Sequence, residues 1–416
     1  METPTRILCL ALLTLSALAV AQPAPVTSGI TNSNGFKVGE GRLHLYLELE
    51  GRFNSAAGFF DSQNALVVSP ELVAYFRPGT RFELATAATR VNFNSNVGYA
   101  LYTGLLSSNS RAASHLEAAA GLDTAFNQDG AVEFQVSDAL TRSDRTQNAA
   151  LSIGVLSLYN SLRAALPIHP GGRALEFTPS VTWGVELFEP LAQGDITQGN
   201  CNPADASCNS GIVSQMNYSN LNANFNTRWR FFPKTALTVD VGYDWRTYFS
   251  GASSSAPARL LSGTAGMVGL ISSHISVTAK LGWAHDFSNS GASTLLAQAE
   301  VSYLHSSFSL RAGYLRTVQP VPVYGTNGDD RGYLEGQLES GRFKLIGTGT
   351  FDYLTFYGTQ GRKDMVVSAG LSPQFAVTTF FSVAVGYNFQ WRTSSANSLA
   401  SQFTRHEAFL RLTVAY

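Results

Sequence analysis

Residues 217 to 231, NYSNLNANFNTRWRF, hold five asparagines, and four of them, Asn220, Asn222, Asn224 and Asn226, recur at every second position ahead of Arg228 and Arg230. Amides and guanidiniums do no acid–base work near neutral pH. An amide donates and accepts hydrogen bonds and a guanidinium donates only, so the chemistry on offer is recognition of polar, hydroxyl-bearing groups. Leu221, Ala223, Phe225, Trp229 and Phe231 stand between them. A period of two is that of a β-strand, which puts the amides on one face and the hydrophobic residues on the other. Asparagine is depleted in strands, and an amide buried without a partner costs about 1 to 3 kcal/mol. The amide face therefore demands water or polar partners.

Catalysis finds little to work with. There is no G-x-S-x-G elbow, no H-E-x-x-H pair and no phosphate-binding glycine loop, and the seven histidines are scattered. A lone histidine such as His44 or His406 reads as a hydrogen-bonding wall residue. An esterase or protease assembled across several strands is the remaining enzymatic alternative; the expectation is no enzyme, no catalytic residue, no cofactor and no metal. Of three cysteines, Cys201 and Cys208 lie in the turn-rich GNCNPADASCNSG and read as a disulfide in an exported chain, stabilising by about 2 to 3 kcal/mol. Two thiols with no histidine nearby fall short of the four ligands of structural zinc.

Lys and Arg number 28 against 29 Asp and Glu, a net charge of −1, which offers no basic footprint for nucleic acid. Charged residues make up 14% of the chain, low against about 25% for soluble domains. The N-terminus, METPTRILCLALLTLSALAVAQPAP, has Arg6, an apolar run from Ile7 to Val20 and small residues at Ala19 and Ala21. This predicts a signal peptide over 1–21, cleaved after Ala21 and taking Cys9 with it. Gln22 stands where a lipoprotein would carry cysteine.

Beyond it, alternation dominates. Leu43, Leu45, Leu47 and Leu49 oppose His44, Tyr46, Glu48 and Glu50; Leu237, Val239, Val241, Tyr243, Trp245 and Phe249 oppose Thr238, Asp240, Asp244 and Arg246. HISVTAKLGW and FFSVAVGYNFQW repeat the pattern, and no amphipathic helix follows the leader. Soluble strands run about 5 to 6 residues, whereas these alternations persist for ten or more, the span of a tilted transmembrane strand. The apolar faces just described carry no charge, and aromatics gather toward strand ends at Phe231, Phe249, Trp283, Trp391 and Tyr416. Tight turns are expected at RPGT, NQDG, FPKT, SSH, HSS and SGR, with LPIHPGG long for one, and longer loops near 54–63, 92–111, 189–215, 250–257, 318–330 and 392–402, the stretch from Asn96 to Ser110 being open to an extra strand or a loop folded inward. The expected fold is all-β, a transmembrane antiparallel up-and-down barrel of about 18 strands, with 16 as the alternative. Its aqueous interior would be lined by Asn220, Asn222, Asn224, Asn226, Arg228, Arg230, Asp240, Asp244, Arg246, Glu48, Lys280 and Glu300, joined by charges such as Arg81, Glu117, Glu176, Arg311, Glu335 and Arg411.

The last segment, EAFLRLTVAY, places Leu410, Leu412, Val414 and Tyr416 on one face and resembles the terminal strand by which bacterial outer-membrane barrels are recognised for assembly, with Tyr at the end where Phe is commoner. The resemblance implies Leu412, Val414 and Tyr416 as the assembly signal, with outer-membrane lipid and the barrel-assembly machinery as partners. FFPKTALTVDVGYDWRTY, with Phe232, Pro233, Thr235, Leu237 and Tyr243, is similar to the F-x-P-x-T-x-L turn and strand of barrels associated with exopolysaccharide and capsule export; YFRPGTRFEL echoes it with Phe76, Pro78, Thr80, Phe82 and Leu84. That likeness implies a polysaccharide exit pore of the outer membrane, backed by a periplasmic and inner-membrane export apparatus. A signal peptide (1–21), a short periplasmic segment (22–40) and a barrel (41–416) follow, with about twenty residues ahead of the first strand and so no plug domain. A general diffusion porin and a surface adhesin or receptor are the competing functions.

Overall fold

The computed structural model describes residues 34–60, 66–128, 130–144, 154–172, 174–191, 213, 216–249, 257–288, 291–321, 325–357, 361–395 and 402–416. The expected signal peptide and the Cys201 and Cys208 pair lie outside the described residues, as does most of the segment 22–40.

A short strand, β1 (Phe36–Val38), precedes eighteen long ones: β2 (Gly41–Phe60), β3 (Leu66–Ala85), β4 (Thr89–Tyr102), β5 (His115–Phe126), β6 (Phe134–Ser143), β7 (Val155–Ala165), β8 (Leu175–Pro190), β9 (Tyr218–Phe232), β10 (Thr235–Tyr248), β11 (Ala258–Leu270), β12 (Ile275–Asp286), β13 (Ser293–Leu304), β14 (Phe308–Val321), β15 (Gly325–Ser340), β16 (Phe343–Phe356), β17 (Lys363–Ala376), β18 (Phe381–Ser394) and β19 (Phe403–Ala415). From β2 onward each strand pairs antiparallel with the next, and β19 returns to β2 with Arg411 opposite Glu50 and Leu412 opposite Leu49. Eighteen strands thus close into a barrel with no free edge. Where β19 stops, β1 continues the pairing with β2, and the Phe36 ring lies 4.7 Å from that of Tyr416.

Exposed apolar side chains form the outward face. Leu49, Phe76, Val97, Leu116, Val241, Leu281, Leu295, Leu334 and Val385 are among them, with Leu281 73% exposed. So much exposed hydrocarbon on a closed sheet is a surface for oil. Charges lie opposite: Glu50, Glu117, Glu186, Lys280, Asp352 and Arg392 are buried inside. Val414 and Tyr416 of the terminal strand are exposed on the outward face beside Leu410.

One end carries tight turns, at Pro233–Lys234, at 271–274, at 305–307 and at Gly341–Arg342, where φ of +57° at Gly341 suits the two-residue connection. NQDG, FPKT, SSH, HSS and SGR all fall at this end, and LPIHPGG is held by a bridge from Ile168 to Phe177. RPGT is a correction: it is no turn but the middle of β3, and the chain reverses at 86–88 instead. Pro78 lacks an amide hydrogen, and in keeping with that Arg77 and Pro78 have no partners on the β4 side, where pairing skips from Phe76–Tyr99 to Gly79–Asn96. Gly79 has its own reason, since the Tyr46 ring occupies the place a Cβ would take. The loops expected near 54–63, 92–111 and 318–330 are likewise largely strand: β2 runs to Phe60, β4 to Tyr102, and β14 and β15 reach Val321 and Gly325. β2 and β3 have 20 residues each, about twice what a bilayer requires, so the barrel projects at its loop end.

Candidate functional site

The interior wall between β8 and β12 is the one that the asparagine run announces. Register aligns Thr178 with Asn226, Ser180 with Asn224 and Thr182 with Asn222 across β8–β9, then Asn226 with Asp240 and Asn222 with Asp244 across β9–β10, and Asp240 with Thr264 across β10–β11. Trp229, Phe225 and Leu221 stand exposed on the other side. The amides are not idle. Asn226 donates to Asp240, Asn224 to Asn222, and Asn222 Nδ2 to Asp244 Oδ2 at 3.4 Å. Asp240 Oδ2 also accepts from Thr264 Oγ1 at 3.2 Å and from the buried Lys280 Nζ at 2.9 Å. Asn224 is exposed to the lumen and Asn220 Oδ1 has no hydrogen-bond partner. The wall so built is a patch of hydroxyls, amides and one neutralised ion pair.

Arg228 and Arg230 continue the same face below it, opposite Glu176, which lies 3.9 Å from Arg230 Nη2. Arg246 faces inward at the other end of β10, but its Nη1 donates 2.6 Å to the Pro320 carbonyl of β14 and its guanidinium lies 4.0 Å over the Tyr218 ring. It therefore anchors the β14–β15 hairpin rather than lining open space. Thr326 of that hairpin bonds Asp286 of β12, and both are fully buried. Glu300 faces inward on β13 and takes the Tyr333 hydroxyl. Glu48, by contrast, is not brought to the amide wall; it lies around the barrel on β2.

There the wall is ionic. Arg77 Nη1 reaches Glu48 Oε1 at 2.8 Å, Arg77 Nη2 reaches Glu117 Oε2 at 3.0 Å, and Arg411 Nη2 reaches Glu50 Oε2 at 2.6 Å. Arg311 pairs with Glu335 at 2.7 Å, Arg331 with Asp329 and Asp352, and Arg362 and Arg392 share Asp364 at 2.6 and 2.5 Å. Arg81 pairs with Glu83. Cations and carboxylates thus alternate closely along this part of the wall.

A second asparagine row was missed by sequence reasoning. Asn92, Asn94 and Asn96 lie inward on β4, opposite Glu83, Arg81 and Gly79, with Asn96 Nδ2 3.4 Å from the Tyr46 hydroxyl. The signal was there, since Phe93 and Val97 alternate with them and face outward. NFNSN has the composition of a turn, yet it lies within β4. Another departure is Asp138, on the outward face of β6 between Leu122 and Leu162, where Asn160 Nδ2 meets it at 3.1 Å.

At the loop end the interior changes character. A bulge between Asn54 and Ala57 shifts the parity of β2, so Ala57 and Phe59 join Val73, Tyr75, Ala100, Tyr102 and Leu156 in an apolar cluster. Ala113, from a short 3-10 helix over Ser108–Ala113, packs into it. The segment is pinned by Glu71, fully buried, which accepts from Thr103 Oγ1 at 3.0 Å and from the Ser110 hydroxyl. The connection between β4 and β5 is thus folded into the barrel.

No family model matches this sequence, and no curated protein matches it. Solved structures similar to it include OccAB3 of Acinetobacter baumannii (6% identity, 91% of this chain and 100% of that one, TM-score 0.46), OpdK, an outer-membrane protein of Pseudomonas aeruginosa (10% identity, 90% and 99%, TM-score 0.45), and the siderophore receptor PirA of the same organism (8% identity, 90% and 80%, TM-score 0.45). Likeness at this level assigns neither cargo nor partner.

Proposed function

We propose that the chain is a water-filled channel of the bacterial outer membrane, passing uncharged, hydroxyl-rich solutes of the carbohydrate class. The observation that carries this is the opposition of faces on β9 and β10, where Leu221, Phe225, Val239 and Val241 are exposed outside while Asn222, Asn226 and Asp240 hydrogen-bond inside. Apolar residues so exposed call for lipid, and so dense an array of amides and hydroxyls calls for water or a solute that imitates it. Asn, Ser and Thr both donate and accept, as sugar hydroxyls do, and the paired charges leave the wall without a preferred ion. The polymeric form of this reading is an exit pore for a secreted polysaccharide, working with a periplasmic and inner-membrane export apparatus and seated by the barrel-assembly machinery.

A second reading, a general diffusion porin for small solutes, is favoured by the segment pinned by Glu71 and by the β14–β15 hairpin held by Arg246, because both narrow the loop end. Reconstitution into planar bilayers tests the channel: open steps that neutral oligosaccharides interrupt are expected, and a folded barrel passing no current would refute it. Deletion of the gene separates the finer readings, since loss of surface polysaccharide supports export, and an unchanged coat with slower uptake of small sugars leaves only the diffusion porin.

A further inference from the structure

We propose that His115, Glu117 and Asp144 form a binding site for a divalent cation of the zinc class at the loop end of the lumen wall. His115 and Glu117 open β5 two residues apart and so share its inward face, and Asp144 follows directly on the neighbouring β6. One ligand atom from each lies within 4.8 Å of the others. Bonds of about 2.0 to 2.2 Å in tetrahedral geometry separate ligand atoms by about 3.3 Å, so side-chain rotation suffices to close the set.

The histidine is already oriented for this. Its Nδ1 lies 2.8 Å from the Ala113 carbonyl, which can only accept, so Nδ1 carries a hydrogen and it is Nε2 that offers a lone pair whenever the ring is neutral. That Nε2 is buried, has no hydrogen-bond partner, and faces Glu117 Oε1 at 3.9 Å, too far to bond it directly. His115 as a whole is 8% exposed. A buried acceptor with nothing to accept is costly, and a cation between it and the two carboxylates would satisfy all three.

The surroundings resemble the outer shell that metal-binding carboxylates require. Glu117 Oε2 accepts from Arg77 Nε and Nη2 at 3.1 and 3.0 Å, and Asp144 Oδ2 from the Tyr102 hydroxyl at 3.1 Å. In each acid these contacts engage one oxygen. The guanidiniums nearby are shared with other acids, Arg77 with Glu48 and Glu50 and Arg52 with Glu50, and so are not committed to Glu117 and Asp144 alone. One imidazole with two carboxylates suits zinc better than calcium or magnesium, which favour all-oxygen shells. Three protein ligands leave a position for water or an incoming group. Occupancy would tie β5 to the point where the chain leaves β6, beside the inward-folded segment pinned by Glu71.

The test is titration of the full chain, purified in detergent with a tag that contains no histidine, with zinc chloride by calorimetry, and with calcium and magnesium chloride as comparators. One zinc per barrel in the micromolar range is expected, weakened at least tenfold by His115→Ala and by Asp144→Asn, with folding checked by heat-modifiable gel mobility. His274 and His305, whose rings lie 5.8 Å apart at the tight-turn end, serve as the control, and their joint replacement by alanine should leave binding intact. The proposal falls if zinc does not bind, if Asp144→Asn binds it as tightly as the parent, if the His274 and His305 variant loses it, or if calcium or magnesium binds equally well. None of these readouts depends on what the channel carries.

Discussion

Val241 and Asn224 offer a test of the two-solvent architecture at a single height. Val241 is the seventh residue of β10, on the outward face, 45% exposed and opposite Phe225; Asn224 faces inward on β9, opposite Gly242. Six steps of about 3.4 Å along a strand tilted about 40° raise Val241 about 16 Å above Thr235, within a few ångströms of the middle of an apolar band about 25 Å tall. Arginine at that depth on the lipid face costs about 2 to 4 kcal/mol, a factor of about 30 to 900 in the folding equilibrium. Asn224→Arg inserts the same group where water and Asp244 lie close by and should cost well under 1 kcal/mol. Folding into lipid vesicles, followed by heat-modifiable mobility across a urea series, measures both. Val241→Arg should shift the transition strongly and Asn224→Arg hardly at all. Equal stability, or the reverse order, would refute the assignment of faces.

Three further outcomes follow from the interior. Asn222→Leu combined with Asn224→Leu should alter single-channel conductance and sugar block, whereas Leu221→Val should leave both unchanged, because only the former pair touches the lumen. Glu71→Gln should loosen the 103–114 segment by weakening the bonds from Thr103 and Ser110, at about 1 to 3 kcal/mol; raised conductance and faster proteolysis near Arg111 would register it, and unchanged values for both would show that the apolar cluster alone holds the segment. Asp364→Asn removes the charge that Arg362 and Arg392 share and should destabilise the barrel by about 3 to 5 kcal/mol, read as a lower midpoint of thermal unfolding. A midpoint within a degree of the parent would show that the two guanidiniums find other anions.

The faces were legible in the sequence because a closed wall between oil and water imposes its period on every strand that crosses it. Asn220 to Asn226 against Leu221 to Trp229 needed no partner strand to be sorted. Strand ends were not legible on the same grounds. Pro78–Gly79 carries turn chemistry, yet β3 runs through it, since pairing with β4 lapses there and Tyr46 fills the space over the glycine. Asn92 to Asn96 carries loop composition, yet its amides face the lumen. Long-range contacts escaped for a different reason: Arg246 of β10 meets Pro320, 74 residues on, in the non-adjacent β14, and Asp144 comes near His115 only because β5 and β6 pair side by side. Periodicity specifies the side of the wall and says nothing about the level.

That distinction bears on where the interior narrows. At mid-height the inward residues of β8 to β11 are polar or small, as Thr178, Ser180, Asn224, Asp240 and Gly242 are, but near the loop end inward positions hold Tyr75, Ala100, Tyr102, Phe188, Leu260 and Leu296. They pack against chain that folds inward, with Ala113 on one side and Val318 on another. Narrowing therefore belongs to the loop end of the barrel, held by polar contacts at Glu71, Arg246 and Asp286, whereas the amide wall below it is built into strands that cannot move independently of the sheet. A passing solute would meet selectivity in the rigid part and resistance in the part whose contacts are fewest, so substitutions at Glu71 should change how often the channel opens, and those at Asn222 and Asn224 what it passes when open.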